Sequence, residues 1–363
     1  MKANRFYSID TLRFFANFCI VLTHTRVAYT RPTENLDGLM LGVAFIVYNI
    51  SRMALPFFFI FSGFFYGKSL LKTGTPKDTY WKTFKKLLVV YFCCGLLYAL
   101  IPRNGAHFLM DTEKYGWLKT YYWYLQDLVL NSHFLILEGT KYHLWFIPAL
   151  IIGLSVITAL HCAKQSKFLV YIFAISYLAM ISVKSLMPQV IVGDDSYDIS
   201  GIFKAVAYVT CGYLLAQSPR WEARTALKLI FAGVILLIIQ NFWLWTNQID
   251  TRATVLAGTL LCSVGIFMLA LNYPEWGKNH FASKFGLLTL WIYGTHPFVL
   301  DQLNPLGQYV HPWIWNLAFP ISVYAVSLTF ALLFQRLLSR PNSNKDTARN
   351  SHKSSKDTTQ CFA

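Results

Sequence analysis

The sequence predicts an all-α, polytopic integral membrane protein with about ten transmembrane helices. Three observations carry this. The 363 residues are 55% hydrophobic and only 13% charged, a balance too apolar for an ordinary soluble domain. Apolar stretches of spanning length, roughly 17–25 residues, recur along nearly the whole chain. Each is a continuous apolar run rather than a ten-residue alternation, which fits helices and not a β-barrel.

The first predicted span, 8–29, is interrupted by Asp10 and Arg13 and is too long for a cleaved signal peptide, so it reads as a retained helix. The second, 40–66, carries Arg52 near its middle by length, followed by Pro56 and a Phe run. After 83–102 comes the longest non-spanning segment, 103–142, whose stretch WLKTYYWYLQDLVLNSHFLILEGT at 117–140 is aromatic and amphipathic, as expected of an interfacial element. The span 143–162 opens at KYHLWF; 168–187, 200–217, 228–246 and 253–271 follow. The span 284–303 contains WIYGTHPFVLDQL, where Pro297 loosens the hydrogen bonding next to His296, and 313–338 is the last. The polar, basic segment from Ser339 is expected to be disordered. No repeat of 20–50 residues is visible, so the chain reads as one transmembrane domain, 1–338, with a cytoplasmic tail, 339–363.

The net charge of +15 is a topology signal before it is a binding signal. With the N-terminus in the cytoplasm, 21 of the 32 Lys and Arg residues fall on inside segments and 8 on outside segments, leaving Arg13, Arg52 and Lys204 within spans. That asymmetry predicts a multi-pass protein with both termini cytoplasmic. Anionic lipid or an anionic ligand is the next use for the charge, and nucleic acid is not expected. The seven cysteines are scattered without CxxC or His clustering, so neither a disulfide framework nor a metal site is predicted.

Several spans carry residues that lipid would not accept. At 100° per residue, Asp10, Arg13, Asn17 and His24 share an arc of about 60° on the first helix. The stripe from Arg13 to His24 rises about 16 Å. Such a face must look into protein or a water-filled cavity. Asp10 and Arg13 also fit a simple interfacial pair, and Arg52 also fits a structural partner of a carboxylate. Tyr142 and Trp145 alone would be ordinary aromatic-belt residues.

Taken in order, Asp10, Leu12-Arg13, His24 eleven residues after the Arg, Arg52 with Pro56-Phe-Phe-Phe and Ser62-Gly63, His143-Leu-Trp-Phe, and Tyr293-Gly-Thr-His296 resemble the membrane-bound acyltransferase family 3. The resemblance runs from about residue 5 to 338, and its overall size is similar to O-acetyltransferases of the enterobacterial-common-antigen, surface-polysaccharide type. One departure is visible: where some members carry a second Arg three residues after Arg52, this chain has Leu55.

The resemblance implies an O-acetyltransferase of the bacterial inner (cytoplasmic) membrane. It implies acetyl-CoA as the donor substrate, no permanently bound cofactor, and a surface polysaccharide or lipid-linked glycan as acceptor, with membrane lipid around it; a homo-oligomer is compatible with the helix faces. Cations at the inner mouth, Arg13 and Lys82, Lys85 and Lys86 among them, would hold the donor phosphates. Asp10, Trp145 and His296 complete the expected donor side, and Arg52 would contact the donor or steady the catalytic groups.

Acyl transfer to a hydroxyl needs a base and an oxyanion donor. His24 is the expected base, Glu138 the carboxylate that orients it, and His143 or Trp145 the oxyanion or acceptor side. Direct transfer is favoured over an acyl-enzyme because no Ser or Cys sits in a nucleophile turn. From the residues alone, a transporter or flippase using Asp10, Arg13, Arg52 and His24 as a proton or anion pathway is the alternative.

Overall fold

The structure is a computed structural model that describes residues 5–25, 38–102, 105–130, 139–186, 200–218, 221–247 and 256–338. Every regular element among the described residues is a helix. In chain order these are α1 (Tyr7–His24), α2 (Gly38–Ser51), α3 (Ala54–Thr73), α4 (Pro76–Leu100), α5 (Gly105–Tyr115), α6 (Trp117–Leu130), a 3-10 turn (Tyr142–Trp145), α7 (Phe146–Cys162), α8 (Leu169–Leu186) and α9 (Ser200–Gln217). They continue with α10 (Ala223–Thr246), α11 (Ala257–Asn272), the short α12 (Phe281–Phe285), α13 (Thr289–Leu303) and α14 (Pro312–Leu338).

Five helical stretches among the described residues are long and apolar enough to cross a membrane: Phe45–Thr73, Pro76–Leu100, His143–Cys162, Ala223–Leu244 and Ile314–Arg336. The other expected spans are helices that fall short by that measure, for physical reasons. The apolar run of α1 is diluted by Asp10, Arg13, Asn17 and His24, and that of α13 by His296 and Asp301. Two more, Ser166–Ser182 and Ala257–Asn272, are shorter, and α9, 18 residues long, is diluted by Lys204 and ends on Gln217. The expected helix 40–66 is not continuous either. It turns at Arg52–Met53, where Met53 N–H donates to Ile50 O at 3.1 Å, and Pro56 has no N–H to give the Arg52 carbonyl.

Two apolar clusters build the bundle. The larger gathers Ile9, Phe59, Ile60, Leu154, Val209, Tyr213 and Phe267 from α1, α3, α7, α9 and α11. The smaller gathers Val21, Ile292, Val299 and Val323 from α1, α13 and α14. Helix α1 therefore lies along the seam between them, which is why its polar stripe is enclosed while its apolar faces serve both cores.

Helices α3 and α9 cross with backbones in near contact. A Cβ on Gly63 would lie 1.9 Å from Val209 O, and one on Gly212 would lie 2.0 Å from Ile60 O. Small residues at such crossings let dispersion, rather than a hydrophobic drive that lipid cannot supply, hold the helices together. The expected interfacial stretch starts as α6, following α5 across Gly116. Leu118, Tyr122 and Leu130 are exposed, while the Tyr121 hydroxyl donates to Ala99 O at 3.1 Å and the Tyr124 hydroxyl to Tyr98 O, closing off carbonyls at the end of α4.

Candidate functional site

Three histidines from three separate segments meet at the seam. His24 ends α1, His143 sits in the 3-10 turn before α7, and His296 lies in α13. The His24 and His296 rings are 5.2 Å apart between centroids and the His143 and His296 rings 5.6 Å. His143 is 2% exposed and His296 fully buried. Nδ1–H of His296 donates to Ile292 O at 3.2 Å, the previous turn of its own helix, which leaves Nε2 as the acceptor. That Nε2 has no hydrogen-bond partner among the described residues.

Two tyrosines pack against His143, with ring centroids 5.2 Å away for Tyr98 and 5.3 Å for Tyr293. The Tyr293 hydroxyl donates to the His143 carbonyl. The Tyr98 hydroxyl donates to Gly294 O at 2.7 Å and accepts from Phe298 N–H at 3.3 Å. These are the two groups that a regular α-helix joins directly, and the hydroxyl reaches both beside Pro297, the site where α13 is loosened. Tyr98→Phe keeps the ring against His143 and removes this brace. We expect it to cost about 1 kcal/mol in unfolding from mixed micelles. In a double-mutant cycle with Pro297→Ala, which returns an N–H to this turn, the two losses should be non-additive by about 0.5 kcal/mol or more; strict additivity would refute the brace.

A cavity of about 290 Å³ opens beside the cluster, lined by His24, Arg52, His143, Trp145, Lys204 and Tyr208 among others. A second pocket of about 180 Å³ is lined by Arg13, Asn17, Phe61 and Ser62, and shares Ile20, Phe146 and Tyr293 with the first. The shared residues make the two pockets neighbours along α1, so the Arg13-to-His24 stripe is the common wall of both.

The expected site residues thus separate into groups. His24, His143, Arg52 and Trp145 line the larger cavity, and His296 stands directly behind it. Arg13 lines the smaller pocket, with its guanidinium 4.8 Å from the Phe61 ring. Asp10 lines neither pocket; it bridges Arg5 Nε at 2.8 Å and Arg13 Nη1 at 3.4 Å and so meets the smaller pocket only through Arg13. Glu138 lies outside the described residues. Among the described residues no group of His, Cys, Asp and Glu is placed to hold a metal ion.

Sequence reasoning missed Lys141. It is 5% exposed, ion-paired to Asp301 of α13, and its charge acts on His24, His143 and His296. Position in the chain suggested a loop cation; its single useful signal was standing two residues before His143. Tyr98 carried no signal, because a tyrosine near a span end is ordinary.

A family model described as an acyltransferase domain matches residues 6–336. Among curated proteins, the chain is similar to a serine/alanine racemase of Enterococcus gallinarum, 24% identical over 90% of this chain and 46% of the relative. It is also similar to two amino-acid racemases of Enterococcus faecalis, 24% and 27% identical over 85% and 96% of this chain and 43% and 48% of theirs. The chain spans about half the length of these relatives. No solved structure matches it.

Proposed function

Because this chain belongs to the acyltransferase domain family and has helices long and apolar enough to cross a membrane, we propose that it is a membrane acyltransferase that moves an acetyl group from cytoplasmic acetyl-CoA to a hydroxyl of a surface glycan or its lipid-linked precursor. The observation that carries this reading is the cavity lined at once by His24, His143, Arg52 and Trp145, next to a pocket that leads back along α1 to Arg13. In this reading all ten sequence-level spans cross the inner membrane, with both termini cytoplasmic.

His24 takes the acceptor's hydroxyl proton as the oxygen attacks the thioester carbon. His143 or Trp145 faces the tetrahedral oxyanion or the acceptor, and collapse expels the thiolate, which recovers the proton from His24. Lys141 supplies positive charge behind the cluster while the oxyanion exists. The basic segment with Lys82, Lys85 and Lys86 binds the donor phosphates, and Arg13 meets the donor chain between that segment and His24. Family membership supports this chemistry over a transport pathway through the same buried charges. A second choice of acceptor at the same base is an amino acid such as serine, which is named in one relative, a racemase of which this chain covers 46%.

The test is thiol release from acetyl-CoA by protein in nanodiscs, with a surface-glycan extract, with serine, or with neither. Glycan-dependent release supports the proposal; release with serine alone moves the acceptor to the amino acid; no release with either sinks the donor reading.

A further inference from the structure

The smaller pocket carries two polar atoms that its own walls leave unused. Asn17 is fully buried, and its Nδ2 sits 3.5 Å from Thr289 O, a long contact that turns Oδ1 the other way. That Oδ1 has no hydrogen-bond partner among the described residues, and neither does the Nε of Arg13. The two residues are one helical turn apart on α1, so they stand on one face. The remaining hydroxyls of the lining are satisfied internally: Ser62 donates to Phe58 O at 2.8 Å, Thr289 to Gly286 O at 2.5 Å, and Tyr293 to the His143 carbonyl. The rest of the wall is apolar, with Phe61, Leu87, Phe146 and Leu150 facing the space.

A buried acceptor and a buried donor left open side by side are costly unless something fills both. The group that fits an isolated acceptor beside an isolated donor is a secondary amide, which offers one N–H and one C=O. The apolar wall fits the methylenes on either side of it. Because the pocket shares Ile20, Phe146 and Tyr293 with the histidine cavity, a chain threaded here arrives at His24.

We propose that Asn17 and Arg13 form an amide-binding bracket for an extended, amide-bearing thioester donor: Asn17 Oδ1 accepts from the amide N–H, and Arg13 Nε–H donates to its carbonyl. This rests on the acyl-donor reading and adds to it a residue, an atom-level contact and the part of the donor that is read. The bracket sets the register of the chain, and hence where the thioester carbon stops relative to His24.

The experiment is equilibrium binding to full-length protein in nanodiscs, using acetyl-CoA and analogues in which either pantetheine amide N–H is replaced by an ester oxygen. Wild type should bind one analogue about tenfold more weakly than acetyl-CoA. Asn17→Leu, close to isosteric, should bind acetyl-CoA and that analogue equally, both near the weaker value. Equal binding of all three ligands by wild type overturns the bracket, as does an Asn17→Leu variant that still discriminates, which would mean that a water fills the pair. If wild type discriminates but transfers acetyl to no acceptor, the bracket stands and the transferase reading of the histidine cavity falls. If wild type binds none of the three, both fall. The ligand-side substitution on unaltered protein keeps the test intact even if the variant folds poorly.

Discussion

Replacing His24 with alanine is expected to lower acceptor-dependent thiol release by about 10²- to 10⁴-fold, the usual worth of a positioned general base, while leaving acetyl-CoA binding near wild type. The geometry singles out His24 among the three histidines. His296 is fully buried, spends Nδ1–H on Ile292 O, and does not line the cavity. His143 lines it but is packed against both Tyr98 and Tyr293, with its backbone carbonyl tied to the Tyr293 hydroxyl, a setting suited to an oriented donor. His24 lines the cavity at the end of the stripe that starts at Arg13, where a donor chain would present its thioester. Side-by-side kinetics of His24→Ala and His143→Ala check this. Both should lose rate, His24→Ala the more. A His24→Ala enzyme with wild-type kcat, together with an inactive His143→Ala, would transfer the base to His143.

What the sequence made legible follows from what lipid penalises. Arg13, His24 and Arg52 stand out in apolar runs because an ionisable group there needs an enclosed setting, and the structure puts each on a cavity wall. The 100° periodicity was enough to place Asn17 on the same stripe, yet gave no means of telling its unfilled Oδ1 from a satisfied amide; only the packed structure shows that. Tyr98 and Lys141 were illegible for the opposite reason, since each is an unremarkable residue type at a span end. Their roles come from α13 being brought beside them, 200 and 160 positions along the chain. The turn at Arg52–Met53 was half legible: Pro56 announces the loosened carbonyl, but whether a helix bends or breaks there is decided by its neighbours. Asp10 illustrates the limit of the wheel. It belongs to the stripe by angle, and Arg5 captures it from the chain just before α1.

The largest expected effect on folding comes from Gly212. Its missing Cβ would stand 2.0 Å from the Ile60 carbonyl oxygen, and the reciprocal Gly63 would meet the Val209 carbonyl at 1.9 Å. Both obstacles are main chain, so no rotamer change relieves them, and α3 and α9 must separate. Overpacking of this kind costs typically about 1–3 kcal/mol, and sometimes more, so Gly212→Ala should lower the apparent Tm in detergent and reduce the monodisperse fraction. Gly63→Ala should do the same. The double variant should lose less than the two singles together, since one separation of the helices accommodates both methyl groups. Gly42→Ala is the control, because nothing lies within 4 Å of its Cβ position and alanine is the better helix former. An unchanged Tm in Gly212→Ala would mean that the helices do not cross this closely. The same separation also reaches the chemistry: α3 contributes Leu55 and Pro56 to the histidine cavity, and α9 contributes Lys204 and Tyr208. Any Gly212→Ala protein that survives purification should therefore show a raised KM for the acceptor before it shows a reduced kcat, since the helices that separate carry neither His24 nor His143.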